Sequence, residues 1–254
     1  MRPRKRRQLV SATLTVLTLF ILWELVVLLS QITARTLPAP SAILASAWKD
    51  RELLLAATWA TSLEVFFGML IGCGLGVIVG VWVYASAVMR ASIYPLLVAA
   101  QTIPIIAVAP LIMLWMGFTP PGKILLVSVY ASFPVVAACV RGMSSVPDEY
   151  VTMVRTLGAS PSWALWQVRL RGAIPTILSG IKISATYAFG TAAMSEYVGA
   201  SAGLGVYLNS ARANYRTDLV FATAFTLAVC TLILFALIAV LERSLVRWPE
   251  AQVG

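Results

Sequence analysis

Chemistry needs groups that can attack, ionise or hold a metal, and this sequence offers few. It contains no histidine, which removes imidazole acid–base catalysis, Ser-His-Asp triads and histidine metal sites together. Cys73, Cys139 and Cys230 each sit in a separate apolar run and form no Cys-x-x-Cys pair, so they read as packing residues. Gly117-Phe-Thr-Pro-Pro-Gly122-Lys123 imitates a phosphate-binding loop. However, Ile124 stands where a magnesium-holding Ser or Thr is needed, and two prolines delete backbone donors. Gly199-Ala-Ser201-Ala-Gly203 imitates a nucleophile elbow, which has no function without a base. The chain is therefore expected not to be an enzyme, with no catalytic residue and no cofactor or metal of its own.

The remaining ionisable groups of interest are embedded in apolar sequence: Glu24, Glu64, Lys182 and Glu196. A charge near the centre of a bilayer costs roughly 2.5–3.5 kcal/mol on insertion scales, so such groups face a partner or a cavity. Glu24 suits either a packing hydrogen bond or a pathway role. Glu64, near the end of its run, is expected to reach water, and Lys182 to snorkel towards its helix end. About 21 Å of helix separates Lys182 from Glu196, so those two cannot pair. Glu196 precedes a Gly-rich stretch that reshapes a helix end, and it is the acid expected to line a translocation pathway.

The elements that must position these groups are membrane spans. Of the 254 residues, 60% are apolar and 11% charged, with mean hydropathy +0.88, whereas soluble domains are about 25% charged. The net charge of +9 is scattered between apolar runs rather than gathered on an aromatic-studded face, so nucleic acid is not the partner. The predicted fold is all-α and polytopic. A basic stretch over 1–8 precedes a single transmembrane domain over 9–254, with six transmembrane helices at 9–29, 58–84, 88–115, 122–140, 173–199 and 218–241. The first run resembles a signal segment after Arg6-Arg7, but its 21 residues exceed a signal core, so it reads as a retained span. Twelve Lys or Arg residues fall on the side of the N-terminus and six on the other, which predicts both termini in the cytoplasm. Gly68, Gly72, Gly76 and Gly80 form a four-residue ladder suited to close helix packing.

The loop over 141–172 is more than a connector. Pro147-Asp148-Glu149 suits a helix start, and the run to Leu157 stops at Gly158, a natural C′ residue. Ser160 then suits an N-cap with Pro161 at the first helical position, and Trp163, Trp166 and Leu170 share a face. Two short helices joined by a sharp turn follow from this. They fit either a docking element for a partner protein or a pair lying in the lipid headgroups.

Thr152-Met-Val-Arg155-Thr-Leu-Gly158-Ala159-Ser160, with Val168-Arg-Leu170 and Pro175 downstream, resembles the cytoplasmic loop of ABC importer permeases. Leu37-Pro-Ala-Pro-Ser41, Gln101-Thr-Ile-Pro-Ile-Ile-Ala-Val-Ala-Pro110, Ser179-Gly-Ile-Lys182 and Glu196-Tyr-Val-Gly-Ala-Ser-Ala-Gly-Leu-Gly205 resemble one branch of that family. That branch serves nitrate, sulfonates, taurine and thiamine-precursor pyrimidines. The resemblance runs in order over about 37–245. Two positions depart from the pattern: Thr152 stands where Glu is usual, and Arg171 where Pro is usual.

The resemblance implies a type I ABC importer permease, a transport subunit of the cell (inner) membrane. Its partners would be ABC ATPase subunits, an external substrate-binding protein and a second, identical permease copy. ATP and Mg would be bound by the ATPase. Thr152, Arg155, Gly158, Ala159 and Ser160 would form the ATPase-coupling loop, and Glu196 and Gln101 would belong to the pathway. The Gln101–Pro110 stretch is nearest to permeases for pyrimidine-type vitamin precursors, with nitrate, sulfonate and taurine open. The alternatives are a stand-alone secondary transporter, which would show inverted halves or a run of buried acids, and a membrane-embedded enzyme, which would need a nucleophile with its base.

Overall fold

The computed structural model describes residues 3–30 and 32–245. The basic stretch expected over 1–8, and Arg247, lie outside the described side chains. The described residues form helices and no strand: α1 (Pro3–Leu29), α2 (Pro40–Lys49), α3 (Arg51–Ala85), α4 (Ala87–Ala100), α5 (Ile105–Met116), α6 (Pro120–Ser145), α7 (Asp148–Thr156), α8 (Pro161–Ala164), a π-helical turn (Leu165–Leu170), α9 (Arg171–Tyr197), α10 (Leu204–Ala213) and α11 (Thr217–Leu245).

Three of these, α3, α6 and α11, are long and apolar enough to cross a membrane. The apolar part of α1, Thr13–Leu29, is shorter. α9 has the length, but Ser, Thr, Gly, Lys182 and Glu196 dilute its hydropathy, and its buried face is held by packing instead.

The glycine ladder explains how the bundle closes. A Cβ at Gly68 would lie 2.5 Å from the Val127 side chain, at Gly72 2.4 Å from the Ser128 carbonyl oxygen, and at Gly80 2.6 Å from the Cys139 Cβ. No side chain fits, so α3 and α6 meet backbone to backbone along four turns. Gly180 of α9 repeats the device from the other side, where a Cβ would lie 2.4 Å from the Ala138 Cβ. α6 is thus clasped by α3 and α9, and the core between them is built from small residues. One cluster holds Val65, Val127, Ala131, Ala185, Ala188, Phe189 and Ala192, and another holds Val81, Val135, Cys139, Met143, Ala173 and Ile177.

Several expectations need correction. The run over 88–115 is not one straight span: α4 and α5 are separate helices bent by 96° at a short break. Pro104 is the cause. It disfavours helical backbone at the residue before it, supplies no amide itself, and starts α5 from φ −65°, ψ 127°. The Tyr130 hydroxyl donates to the Ile103 carbonyl at 3.2 Å and pins the break to α6. The loop over 141–172 is shorter than expected, because α6 runs on to Ser145. Its second helix is not free-standing either, since α8 passes through the π-turn directly into α9. Glu64 does not reach water, and Lys182 does not snorkel alone but pairs with Glu242 of α11.

α2 and α10 lie at the end of the bundle opposite Gly158, too short to span and tied down by side chains. Glu24 accepts from the Ser41 amide at 3.0 Å and from its hydroxyl at 2.6 Å, joining α1 to α2. Ser46 donates to Asp218 at 2.6 Å, joining α2 to α11.

Candidate functional site

Three arrangements emerge from these elements. The first is a groove of about 570 Å³ beside the α4–α5 break, lined by Gln101, Tyr130, Phe133, Tyr187, Thr191 and Met194 among others. The break itself forms one wall. Because Pro104 ends helical pairing there, Gln101, Thr102 and Ile103 stand exposed rather than packed. α6 and α9 supply the aromatic rings, and Tyr187 is 63% exposed. None of the described residues lining this groove carries a charge. An adjoining recess shares Gln101, Thr102 and Pro134 and reaches Arg141.

The second arrangement is the turn between α7 and α8. Gly158 has φ +93°. The Gly158 amide donates to the Arg155 carbonyl and the Ala159 amide to the Val154 carbonyl, both at 3.0 Å, the paired bonds of a glycine-terminated helix. Two residues later the Ser160 hydroxyl accepts from the Trp163 amide at 3.2 Å and caps α8. Thr152, Arg155, Gly158 and Ser160 are exposed and Ala159 is half-buried. Tyr150, Met153 and Leu157 fall at i, i+3 and i+7 of α7, and Leu157 is 81% exposed. α7 therefore carries an apolar stripe that no described residue of this chain covers.

Arg169 holds this turn to the bundle, a role that its sequence position does not reveal. It pairs with Asp148 at the start of α7, donates to the Val146 carbonyl, and reaches the Met143 carbonyl at 3.3 Å. Its guanidinium also lies 5.9 Å from the centre of the Tyr84 ring in α3. One side chain thus ties α3, α6, α7 and the π-turn together.

The third arrangement lies under α10. Glu64 and Lys123 form an ion pair with both side chains buried. Losing one partner of such a pair costs roughly 3–5 kcal/mol, because the other charge is left without compensation. Lys123, the last residue of the phosphate-loop imitation, is thus a counter-ion. Glu196 is 1% exposed and does not stand on the groove wall. It accepts from the Thr61 hydroxyl at 2.7 Å and the Gly205 amide at 2.6 Å, while Thr61 accepts from the Leu204 amide at 2.8 Å. Two orphan amides of the first turn of α10 are thereby satisfied from α3 and α9. Gly203, at φ +124°, admits no side chain, since a Cβ would lie 2.0 Å from Glu196 Oε1. Further along α10, Tyr207 donates to Asp50 at 3.3 Å, and burial together with the Asp50 charge pushes its phenol up to about 12.

Residues 72–247 match the family model described as "Binding-protein-dependent transport system inner membrane component". A probable ABC transporter permease protein of Haemophilus influenzae is 34% identical, over 90% of this chain and 93% of its own length. The riboflavin transport system permease protein of Chloroflexus aurantiacus is 32% identical over 93% and 89%. The formylaminopyrimidine transport permease protein of Halalkalibacterium halodurans is 28% identical over 98% and 100%. Among solved structures, a chain of the inward-facing MetNI methionine ABC transporter superposes with TM-score 0.69 at 20% identity, covering 78% of this chain and 99% of that one. At that identity the likeness is one of fold.

Proposed function

From the premise that this chain belongs to the family of binding-protein-dependent transport system inner membrane components, we propose that it passes a small, uncharged heterocyclic solute across the membrane. It is a multi-pass membrane permease subunit of an ABC importer and not an enzyme. The pathway is the groove beside the α4–α5 break, faced by the same groove of a second, identical chain across a shared axis. An external binding protein delivers the solute at the α10 end. Two ATPase subunits, which bind ATP and Mg, dock at the α7–α8 turn.

The observation that carries the solute class is the groove wall. Tyr130, Phe133 and Tyr187 offer ring faces, and Gln101 and Thr191 offer hydrogen bonds without charge. A planar heterocycle such as a pyrimidine-type vitamin precursor suits that wall. Nitrate or a sulfonate would bring a full negative charge, and taurine the two charges of a zwitterion, to a wall whose described residues carry none, Arg141 standing only in the adjoining recess. Gln101 acts directly on the solute. Glu196 acts from behind the wall, through the seat of α10.

The uncovered stripe Tyr150–Met153–Leu157 beside an exposed, rigidly terminated turn supports docking of the ATPase through Thr152, Arg155, Gly158, Ala159 and Ser160. On a six-span reading, the excess of Lys and Arg supports placing that turn and both termini in the cytoplasm. Burial of Lys123 in an ion pair removes one cation from the opposite side of the count.

The test is ATP-driven uptake in proteoliposomes holding the permease, its ATPase and its binding protein. A labelled hydroxymethyl- or formylaminopyrimidine should accumulate, and excess nitrate, taurine or alkanesulfonate should not compete. Accumulation of one of those charged solutes instead would refute the solute class while leaving the importer reading intact.

A further inference from the structure

Four elements bring polar groups to one point beneath α10. α3 contributes Thr61 and Glu64, α6 Lys123, α9 Glu196, and the turn into α10 the amides of Leu204 and Gly205. Two carboxylates against one ammonium leave one negative charge in excess, yet Glu64 is 5% exposed, Lys123 3% and Glu196 1%. An uncompensated buried charge is costly enough that such a group takes up a proton where it can.

Hydrogen-bond accounting reaches the same point independently. Both oxygens of Glu196 have donors, from Thr61 and Gly205. Oε1 of Glu64 has the Lys123 ammonium. Oε2 of Glu64 is enclosed and has no hydrogen-bond partner among the described residues. Glu196 accepts from Thr61, one turn before Glu64 on α3, and the Lys123 ammonium that pairs with Glu64 reaches the Ala202 carbonyl, next to Gly203, where a Cβ would lie 2.0 Å from Glu196 Oε1, so both carboxyl groups face one enclosed space. If both were ionised, one ammonium would face two carboxylates in that space and Glu64 Oε2 would lack a donor, whereas a proton on the pair supplies an O–H donor and balances the charge.

We infer that the Glu64–Lys123–Glu196 cluster is a proton-binding site that holds one proton between its two carboxyl groups. The bound species is a proton rather than a metal cation, because the Lys123 ammonium already fills the cation position and reaches on to the Ala202 carbonyl at 3.4 Å. Glu64 from α3, Lys123 from α6 and Glu196 from α9 are the titratable groups that face the site. α10 and its leading turn contribute backbone groups only, and Tyr207 is turned to Asp50. The Glu196 carboxyl that shares the proton also holds the Gly205 amide, so the charge state of the pair is tied to the seat of α10. When the pH rises far enough to remove the proton, two like charges face each other under that helix and loosen it.

The experiment is infrared spectroscopy of the full chain in lipid bilayers, read at the carbonyl stretch of protonated carboxyl groups. Wild-type protein at neutral pH should show such a band, shifting in D2O and fading at alkaline pH. Glu64→Gln and Glu196→Gln should each abolish it. No band in wild-type protein, or one untouched by both variants, overturns the site. A band lost in only one variant puts the proton on that carboxyl alone and overturns the sharing. Should a variant fold poorly, the alkaline titration of the wild-type band decides: a band that does not fade below the pH at which the protein unfolds contradicts a site that releases its proton.

Discussion

Gly158→Val isolates the conformation of the α7–α8 turn from everything around it. Gly158 sits at φ +93°, and a Cβ added there meets nothing within 4 Å, so in this chain the substitution acts through the backbone alone. Holding an L-residue in left-handed space costs roughly 1–2 kcal/mol, with a β-branched residue at the upper end. That corresponds to a population of the native turn lowered about 5–30-fold relative to its alternatives. α7 stands outside the membrane-crossing core, α8 joins it through the π-turn, and Arg169 still anchors the start of α7 through Asp148. Gly158→Val should therefore insert normally, and its abundance in the membrane should match wild type. ATPase co-purification and uptake, each normalised to permease in the membrane, should fall about tenfold. Gly158→Asn, which tolerates the left-handed region, should lose only a few-fold. If the Val variant docks its ATPase as well as wild type, the turn does not couple the chain to its motor. If Asn is as damaging as Val, side-chain bulk at the partner surface rather than backbone conformation explains the loss.

The helix seam gives a second contrast: Gly72→Ala should lower the thermal stability of the purified protein, since its Cβ would meet the Ser128 carbonyl at 2.4 Å. Gly74→Ala, with nothing within 4 Å, should leave stability unchanged or slightly higher. In a background lacking Cys73, Cys139 and Cys230, Ser210→Cys should react with an impermeant thiol reagent in intact cells and Ser160→Cys should not; the reverse pattern refutes the orientation.

What the sequence discloses and what it conceals divide along physical lines. The turn at Gly158 and the cap at Ser160-Pro161 are readable because helix ends are written in the few residues that make them. The glycine ladder is readable for the same reason, but its partner helix is not, because packing clearance names no neighbour. The bend after Gln101 hides inside a run that hydropathy alone takes for a straight span, although Pro104 within it is the signal that marks the break. Glu64 and Lys123 stand far apart in sequence, and each alone suggests an exposed end charge; only the folding of α3 against α6 makes them a buried pair. Glu196 stands out as an embedded acid, but its donors, Thr61 and the start of α10, are long-range. α2 and α10 are short and of mixed polarity, so nothing in their sequence separates them from loops. Arg169 counts among the basic residues without any local sign that it links four elements.

The clearance between α3 and α6 also limits how this molecule can move. Sliding one helix past the other by a single residue, about 1.5 Å, would drive the side chains flanking each glycine into the backbone opposite. The two helices are thus geared to one another, and α9, locked through Gly180, turns with them. Shear between these three is opposed, so a change of shape falls more easily where the regular backbone is interrupted, as at 101–104 between α4 and α5 and at the π-turn Leu165–Leu170. The first pivot forms the wall of the groove and the second carries the α7–α8 turn. On the proposed function, a rigid three-helix block with hinges at those two places would convert a push at one end into a change of width at the groove, with no helix sliding along its neighbour.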